Sequence, residues 1–134
     1  FQKLTQKHEL ILVEGIGGLL VPIIKNYLVI DLAVDLNLPL IVVSRLSLGT
    51  INHTLLTLNA AKERGIKIVG VIFSQTEDCQ LDAIEKSNPA AIKELSGVRV
   101  LGELQFIKDA KNLTPELLEE IEKKIDFDFL QTFK

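Results

Sequence analysis

The segment Glu14-Gly15-Ile16-Gly17-Gly18 directly follows an apolar run, Leu10 to Val13. In open parallel sheets ligands lie beyond the carboxyl ends of the strands, so a carboxylate in that place stands where chemistry is usually done. Three glycines in four positions remove the side chains that would hold a phosphate or substrate away from the backbone. They also permit positive φ, which aims successive amides at an anion. Glu14 beside such a loop is a sensible ligand for magnesium, a hard ion that prefers oxygen donors and bridges protein to polyphosphate. The plain alternative is a glycine turn with a solvent-facing glutamate.

A second chemical segment is Ser47-Leu48-Gly49-Thr50-Ile51-Asn52-His53-Thr54. It lies where an apolar strand gives way to an amphipathic helix. The first amides of a helix have no partner within it, and the helix dipole adds partial positive charge, so the start near Thr50 is an anion site in the making. Thr50 and Asn52 add side-chain donors, and a carboxylate could be held by backbone amides and one side-chain amide together. Taken singly, Ser47 and Thr50 read more naturally as helix caps. His53 reads as a structural or solvent-side residue, with no cysteine or second histidine at metal-ligand spacing.

The elements that must position these groups follow from periodicity. Leu10 to Val13, Leu38 to Val43 and Ile66 to Phe73 are continuous apolar runs rich in β-branched residues, which suits strands covered on both faces. Between the last two, Ile51, Leu55, Leu58 and Ala61 recur at helical spacing up to Arg64, with Gly65 placed to end the helix. Asp31 is expected to cap a short helix over Leu32 to Leu36, before Asn37 and Pro39 return the chain to the sheet. After the polar loop SQTEDCQ, one helix is expected over Leu81 to Lys86, a break near Pro89, and a second helix over Ala90 to Leu95. Val98 to Leu104 reads as a last strand. Thr114-Pro115 then starts a final helix with Leu117, Leu118, Ile121 and Ile125 as its buried stripe. Strand and helix alternate throughout, which predicts one α/β domain over 1–134: a doubly wound, mostly parallel sheet with flanking helices and right-handed crossovers.

The bulk composition narrows the function. A chain of 134 residues is long enough for one core, and 47% hydrophobic with 25% charged residues is ordinary for a globular protein. A net charge of −3 gives no electrostatic reason to expect nucleic acid or an anionic membrane as partner. Cys79 is the only cysteine, the first residues lack the order of a secretory signal, and no apolar run approaches the ~20 residues of a bilayer span. A cytoplasmic protein without a membrane span is the expectation.

Read together, VEGIGGLLVPI, DLAVDLNLPLIVVSRLSLGTINHTLLTL and GIKIVGVIF closely resemble the dethiobiotin synthetases, from about Leu10 to Phe73. The resemblance implies a P-loop NTPase-like fold and an ATP-dependent cyclo-ligase of biotin biosynthesis. Such an enzyme closes the ureido ring of dethiobiotin from 7,8-diaminopelargonic acid and CO2, through a carbamate and a carbamic-phosphoric anhydride. It implies Mg2+ as cofactor, with Glu14 as catalytic residue and metal ligand, and Gly15, Gly17 and Gly18 lining the reacting centre as substrate contacts. Gly49, Thr50, Ile51 and Asn52 would bind the substrate carboxylate across a homodimer interface. The family often reads adenine with an asparagine after the strand that ends near Phe73; Ser74 and Gln75 hold that region here and become the expected nucleotide contacts. One departure is the absence of any Gly-x-x-x-x-Gly-Lys-Ser/Thr stretch, which family members carry on an initial unit of at least ~30 residues. The chain opens at Phe1 as if that unit were missing, so these residues alone are expected to be inactive. The competing readings are a non-catalytic regulatory or dimerisation domain on the same fold, and another P-loop ligase.

Overall fold

The computed structural model describes residues 1–132. In chain order its elements are α1 (Gln2–Thr5), β1 (Pro22–Ile24), β2 (Tyr27–Leu28), α2 (Val29–Leu36), β3 (Leu40–Arg45), α3 (Thr50–Glu63), β4 (Ile68–Ser74), α4 (Ala83–Ser96), β5 (Val100–Leu104), α5 (Pro115–Lys124) and α6 (Phe127–Gln131). The expected α/β architecture is present as a parallel sheet in the order β3-β4-β5, flanked by helices, with β1 and β2 forming a separate antiparallel pair.

The sheet's core is set by alternation. Val42 and Ser44 of β3 are buried while Val43 and Arg45 between and after them are exposed. Val71 and Phe73 of β4 share the buried side with Val42, Leu58 of α3 and Ile92 of α4. Phe73 and Leu58 are fully enclosed, and burying side chains of that size is worth roughly 1.5 to 3 kcal/mol each. A second cluster joins Leu19, Ile30, Ala61 and Ile66, and ties the glycine-rich segment and α2 to the far end of α3. Gly65 ends α3 as its spacing suggests, with φ of +69° and its N–H donating to the Lys62 carbonyl at 3.0 Å.

Three local expectations are corrected. Leu10 to Val13 is not a strand: it runs irregularly, and Leu10 and Leu12 are 70% and 85% exposed. A strand exists only through ladder bonds to a neighbour, and among the described residues nothing pairs with this run, so its β-favouring composition has no sheet to join. Asp31 does not precede its helix but occupies the third position of α2, where its carboxylate accepts from the Leu28 N–H at 2.8 Å and pairs with Arg64 at 2.6 Å. The Leu28 N–H, followed by Arg64, holds that carboxyl below the usual aspartate range. Finally, the two expected helices are one, α4, which starts at Ala83 and carries Pro89 inside it, and Leu81 precedes it. An interior proline costs about 3 kcal/mol. Here the first turn is closed by the Asp82 and Glu85 capping box, and Asn88, Pro89 and Ile92 are all buried, so packing outweighs the lost hydrogen bond.

The last helix begins as expected, with Thr114 accepting from the Leu117 N–H at 3.3 Å and Pro115 in the first turn. Its stripe is shallower than predicted: Ile125 is buried, Leu117 and Ile121 are half-buried and Leu118 is exposed. The chain beyond α5 closes the free edge of β5. Gly102 bridges Ile125, Asp126 N–H donates to Leu101 at 2.8 Å, and Arg99 pairs with Asp126 at 2.6 Å while lying over the Phe129 ring. No helix among the described residues is long and apolar enough to cross a membrane.

Gly102 allows this closure by having no side chain. A Cβ there would strike the Lys124 carbonyl oxygen and come within 2.8 Å of Ile125 Cδ1. Gly102→Ala should therefore destabilise the protein by about 1 to 3 kcal/mol, read as a lower midpoint in chemical denaturation. An unchanged midpoint would show that the α5 to α6 segment yields freely and does not hold the β5 edge.

Candidate functional site

The parallel ladder brings two of the predicted segments to one end of the sheet. Arg45 stands beside Ser74 in the register of β3 and β4, and the Leu46 N–H continues the ladder to the Ser74 carbonyl at 3.3 Å. The chain leaving β3 and the chain leaving β4 thus emerge side by side, at the carboxyl ends where α/β folds place ligands.

From β3 the chain turns through Ser47 to Gly49 into α3. Gly49 caps α3 with φ of +86°, a left-handed conformation that residues with a Cβ rarely adopt. The Thr50 N–H donates to the Ser47 carbonyl at 3.2 Å, and the His53 N–H to Gly49 at 3.1 Å. No side chain caps the helix, and the Ile51 and Asn52 amides have no acceptor among the described residues. Asn52 is exposed beside them. Ser47 Oγ, by contrast, is buried and without a hydrogen-bond partner. Two open amides, an exposed carboxamide and an orphaned hydroxyl at one helix start make a cluster of donors of the kind an anion satisfies. Ser47 is therefore not the cap its type suggested, and Thr50 is buried at 3% exposure. His53 is exposed, with its ring beside Gly49, as its spacing indicated.

The helix start is held by a contact that periodicity alone did not single out. Ser44 Oγ and Thr54 Oγ1 lie 2.6 Å apart, both residues more than nine-tenths buried. The clue was present in the sequence: Ser44 falls on the inward phase of a strand, and Thr54 lies one helical turn after Thr50.

Leaving β4, Gln75 takes its backbone N–H to Leu104 at 2.9 Å, while its side-chain Nε2 donates to the carbonyls of Glu77 at 2.8 Å and Cys79 at 2.5 Å. Gln75 lines an open cleft of about 770 Å³ that runs along β5 from Val100 to Leu104, together with Leu46, Leu81, Lys86 and Lys124. Ser74 is half-buried and does not line this cleft.

Glu14 and its glycines are placed separately. Gly17 and Gly18 both have positive φ, +87° and +122°. Gly15 packs so closely on α2 that a Cβ would meet Val29 Cγ1 at 2.7 Å. The chain after the glycines docks on the start of α2, where Val29 and Ile30 donate to Val21 at 2.9 Å and Leu19 at 2.8 Å. These bonds satisfy α2 amides that a ligand would otherwise use. Glu14 is exposed and, among the described residues, makes no ion pair. As a single free carboxylate beside a glycine loop it fits magnesium, which takes one or two protein carboxylates and completes its shell with water and phosphate. Among the described residues no group of three or more His, Cys, Asp or Glu side chains forms a metal cage.

A parallel α/β sheet whose loops converge at the strand ends, with an anion-ready helix start, defines a P-loop NTPase-like domain. A family model described as AAA domain matches residues 1–114, and the chain belongs to that family. It is 42% identical over 133 residues to an ATP-dependent dethiobiotin synthetase of Bacillus cereus strain G9842, covering 99% of this chain and 54% of that protein. The corresponding enzyme of Bacillus cereus strain B4264 is 43% identical over the same shares. That of Bacillus thuringiensis strain Al Hakam is 46% identical over 121 residues, 90% of this chain and 49% of its own length. The similarity to dethiobiotin synthetases thus runs well past Phe73, and the chain spans about half the length of the curated relatives it matches.

The α3 start depends on the hydroxyl pair beneath it. Thr54→Val keeps the shape but leaves Ser44 Oγ buried and unpaired, so the protein should lose about 1 to 3 kcal/mol of stability in denaturant titration. A neutral result would mean that Ser44 finds another partner and that the pair does not pin α3.

Proposed function

We propose that this chain is part of an ATP-dependent dethiobiotin synthetase, carrying its magnesium carboxylate and its substrate-carboxylate site. The observation that carries the reading is the similarity to such enzymes over 99% of the chain. The cluster of donors at the start of α3 supports it, because the diamine substrate ends in a carboxylate that such amides suit.

In this reading CO2 adds to one amine of 7,8-diaminopelargonic acid to give a carbamate. The γ-phosphoryl group of ATP passes to a carbamate oxygen. The second amine then attacks the mixed anhydride, phosphate leaves and the ureido ring closes. Magnesium, held by Glu14, would neutralise phosphate charge during this transfer. The amides around Gly15, Gly17 and Gly18 would lie close to the reacting centre, where absent side chains let backbone approach it. Gly49, Thr50, Ile51 and Asn52 would grip the far carboxylate of the substrate, in a homodimer from the partner's side, and so fix the amines relative to the nucleotide. Ser74 and Gln75 would face the base. The 134 residues contain no Gly-x-x-x-x-Gly-Lys-Ser/Thr stretch, so the phosphate-binding lysine and loop are supplied by chain outside them, and these residues alone do not catalyse. Working in the cytoplasm, the enzyme needs no membrane or nucleic-acid partner.

Two substitutions in the complete enzyme test the assignment. Asn52→Ala removes one donor to a charged group, for which roughly 1.5 to 3 kcal/mol is typical, so diaminopelargonate should bind about ten- to a hundredfold more weakly with ATP affinity unchanged. Weakened ATP binding with the diamine unaffected, seen by isothermal titration, would reverse the two sites. Glu14→Gln should keep the fold and lose most ring closure at ordinary magnesium, with partial recovery as magnesium is raised. Full turnover at low magnesium would remove Glu14 from the reaction.

A further inference from the structure

A sheet edge presents a row of backbone donors and acceptors, and a second copy of the same strand is a ready partner for them. Among the described residues β5 is the outermost strand on its side of the sheet, with β4 as its neighbour on the other. Five residues, Ile125 to Phe129, cover it. The cover is narrow: a single bridge joins Gly102 to Ile125, and the Asp126 N–H donates to the Leu101 carbonyl at 2.8 Å. Much of its hold passes through one side chain. Asp126 Oδ2 accepts from Arg99 at 2.6 Å, while Asp126 Oδ1 accepts from the Phe129 N–H at 3.0 Å and so starts α6. Arg99 in turn lies over the Phe129 ring, 4.2 Å from its centre. The Arg99 and Asp126 side chains keep 52% and 32% of their surface in water, so the pair holds the segment lightly. Of the five residues only Ile125 is buried.

What lies under the segment suits another backbone. Gly102 is the middle residue of β5, and a Cβ there would strike the Lys124 carbonyl oxygen, so the covering chain comes closer than any side chain would allow. A strand crossing antiparallel about a twofold axis would meet the same glycine and fit equally closely. β5 reads Val-Leu-Gly-Glu-Leu, with neither the lysine nor the proline that blunts an exposed edge.

We propose that Ile125 to Phe129 is a detachable guard, latched by Asp126, that keeps β5 from pairing antiparallel with β5 of a second copy of this chain. While the latch holds, the edge bonds within its own chain. When it opens, the Leu101 carbonyl and the backbone at Gly102 lose their partners together, and a second copy restores them.

The test compares the complete enzyme with its Asp126→Ala variant, which removes the Arg99 partner and the α6 cap at once. Amide exchange in β5 should quicken by about tenfold or more, because the segment opens without the rest of the sheet. Light scattering after gel filtration should show a molar mass that rises with concentration to about twice that of the unaltered enzyme. Arg99→Gln leaves every residue of the segment in place and should give both changes to a smaller degree, so it decides the matter if Asp126→Ala folds poorly. Thr54→Val, which lowers stability elsewhere, should give neither. Faster exchange in β5 with no gain in mass overturns the proposal, since the bare edge then needs no guard. Unchanged exchange overturns it too, because Asp126 is then no latch. An equal gain in mass by Thr54→Val would trace the association to general loosening, and overturns it as well.

Discussion

The buried contact between Ser44 and Thr54 fixes the relation between β3 and α3, and much of the candidate site is arranged around it. A helix packed only through leucines can rotate by a fraction of a turn at small cost, since apolar contact is not directional. A hydroxyl pair in a dry interior has one satisfactory geometry, and leaving it unmade costs more than making it contributes. With Thr54 held, Thr50 one turn earlier is also turned inward, and the chain must reach it from β3 through a tight bend. That bend is the left-handed Gly49. Open amides at Ile51 and Asn52 are the result, aimed outward where the helix begins.

The same logic of prepaid order applies at the neighbouring loop. The strand register puts the exits of β3 and β4 side by side, and each exit then uses one residue to spend or save polar groups. The α3 start leaves amides unspent. The Gln75 loop spends a carboxamide nitrogen on its own backbone and gains a defined shape. Both arrangements would lower the cost of binding a ligand there, the first by offering donors already stripped of partners and the second by removing conformers beforehand.

How far the sequence revealed this depends on whether an element's cause is local. β3, α3 and β4 were legible because their apolar phases and the stop at Gly65 are written within each segment, and the Thr114-Pro115 start was legible for the same reason. Leu10 to Val13 was not, because composition can favour a strand but only a neighbouring backbone can make one. Pro89 misled because the rule against interior prolines weighs one lost hydrogen bond, whereas α4 also has a capping box and three buried residues, Pro89 among them. Among site residues, the glycines and Asn52 announced themselves by type. The orphaned Ser47 hydroxyl and the inward-turned amide of Gln75 did not, since which partner a polar group lacks is known only once its surroundings are assembled.

The order β3-β4-β5 follows the order of the chain, with each strand beside the one made just before it. Every pairing in this sheet therefore closes a single helical crossover, and none waits for a distant segment. Loop-closure entropy grows with the length enclosed, so such a sheet can be laid down one strand at a time from the amino-terminal side. β3, α3 and β4 already contain the Ser44 and Thr54 pair and most of the first cluster. The segment from Ile125 to Phe129 covers the outer edge of β5, whereas β3 at the other side of the sheet has no strand beyond it among the described residues.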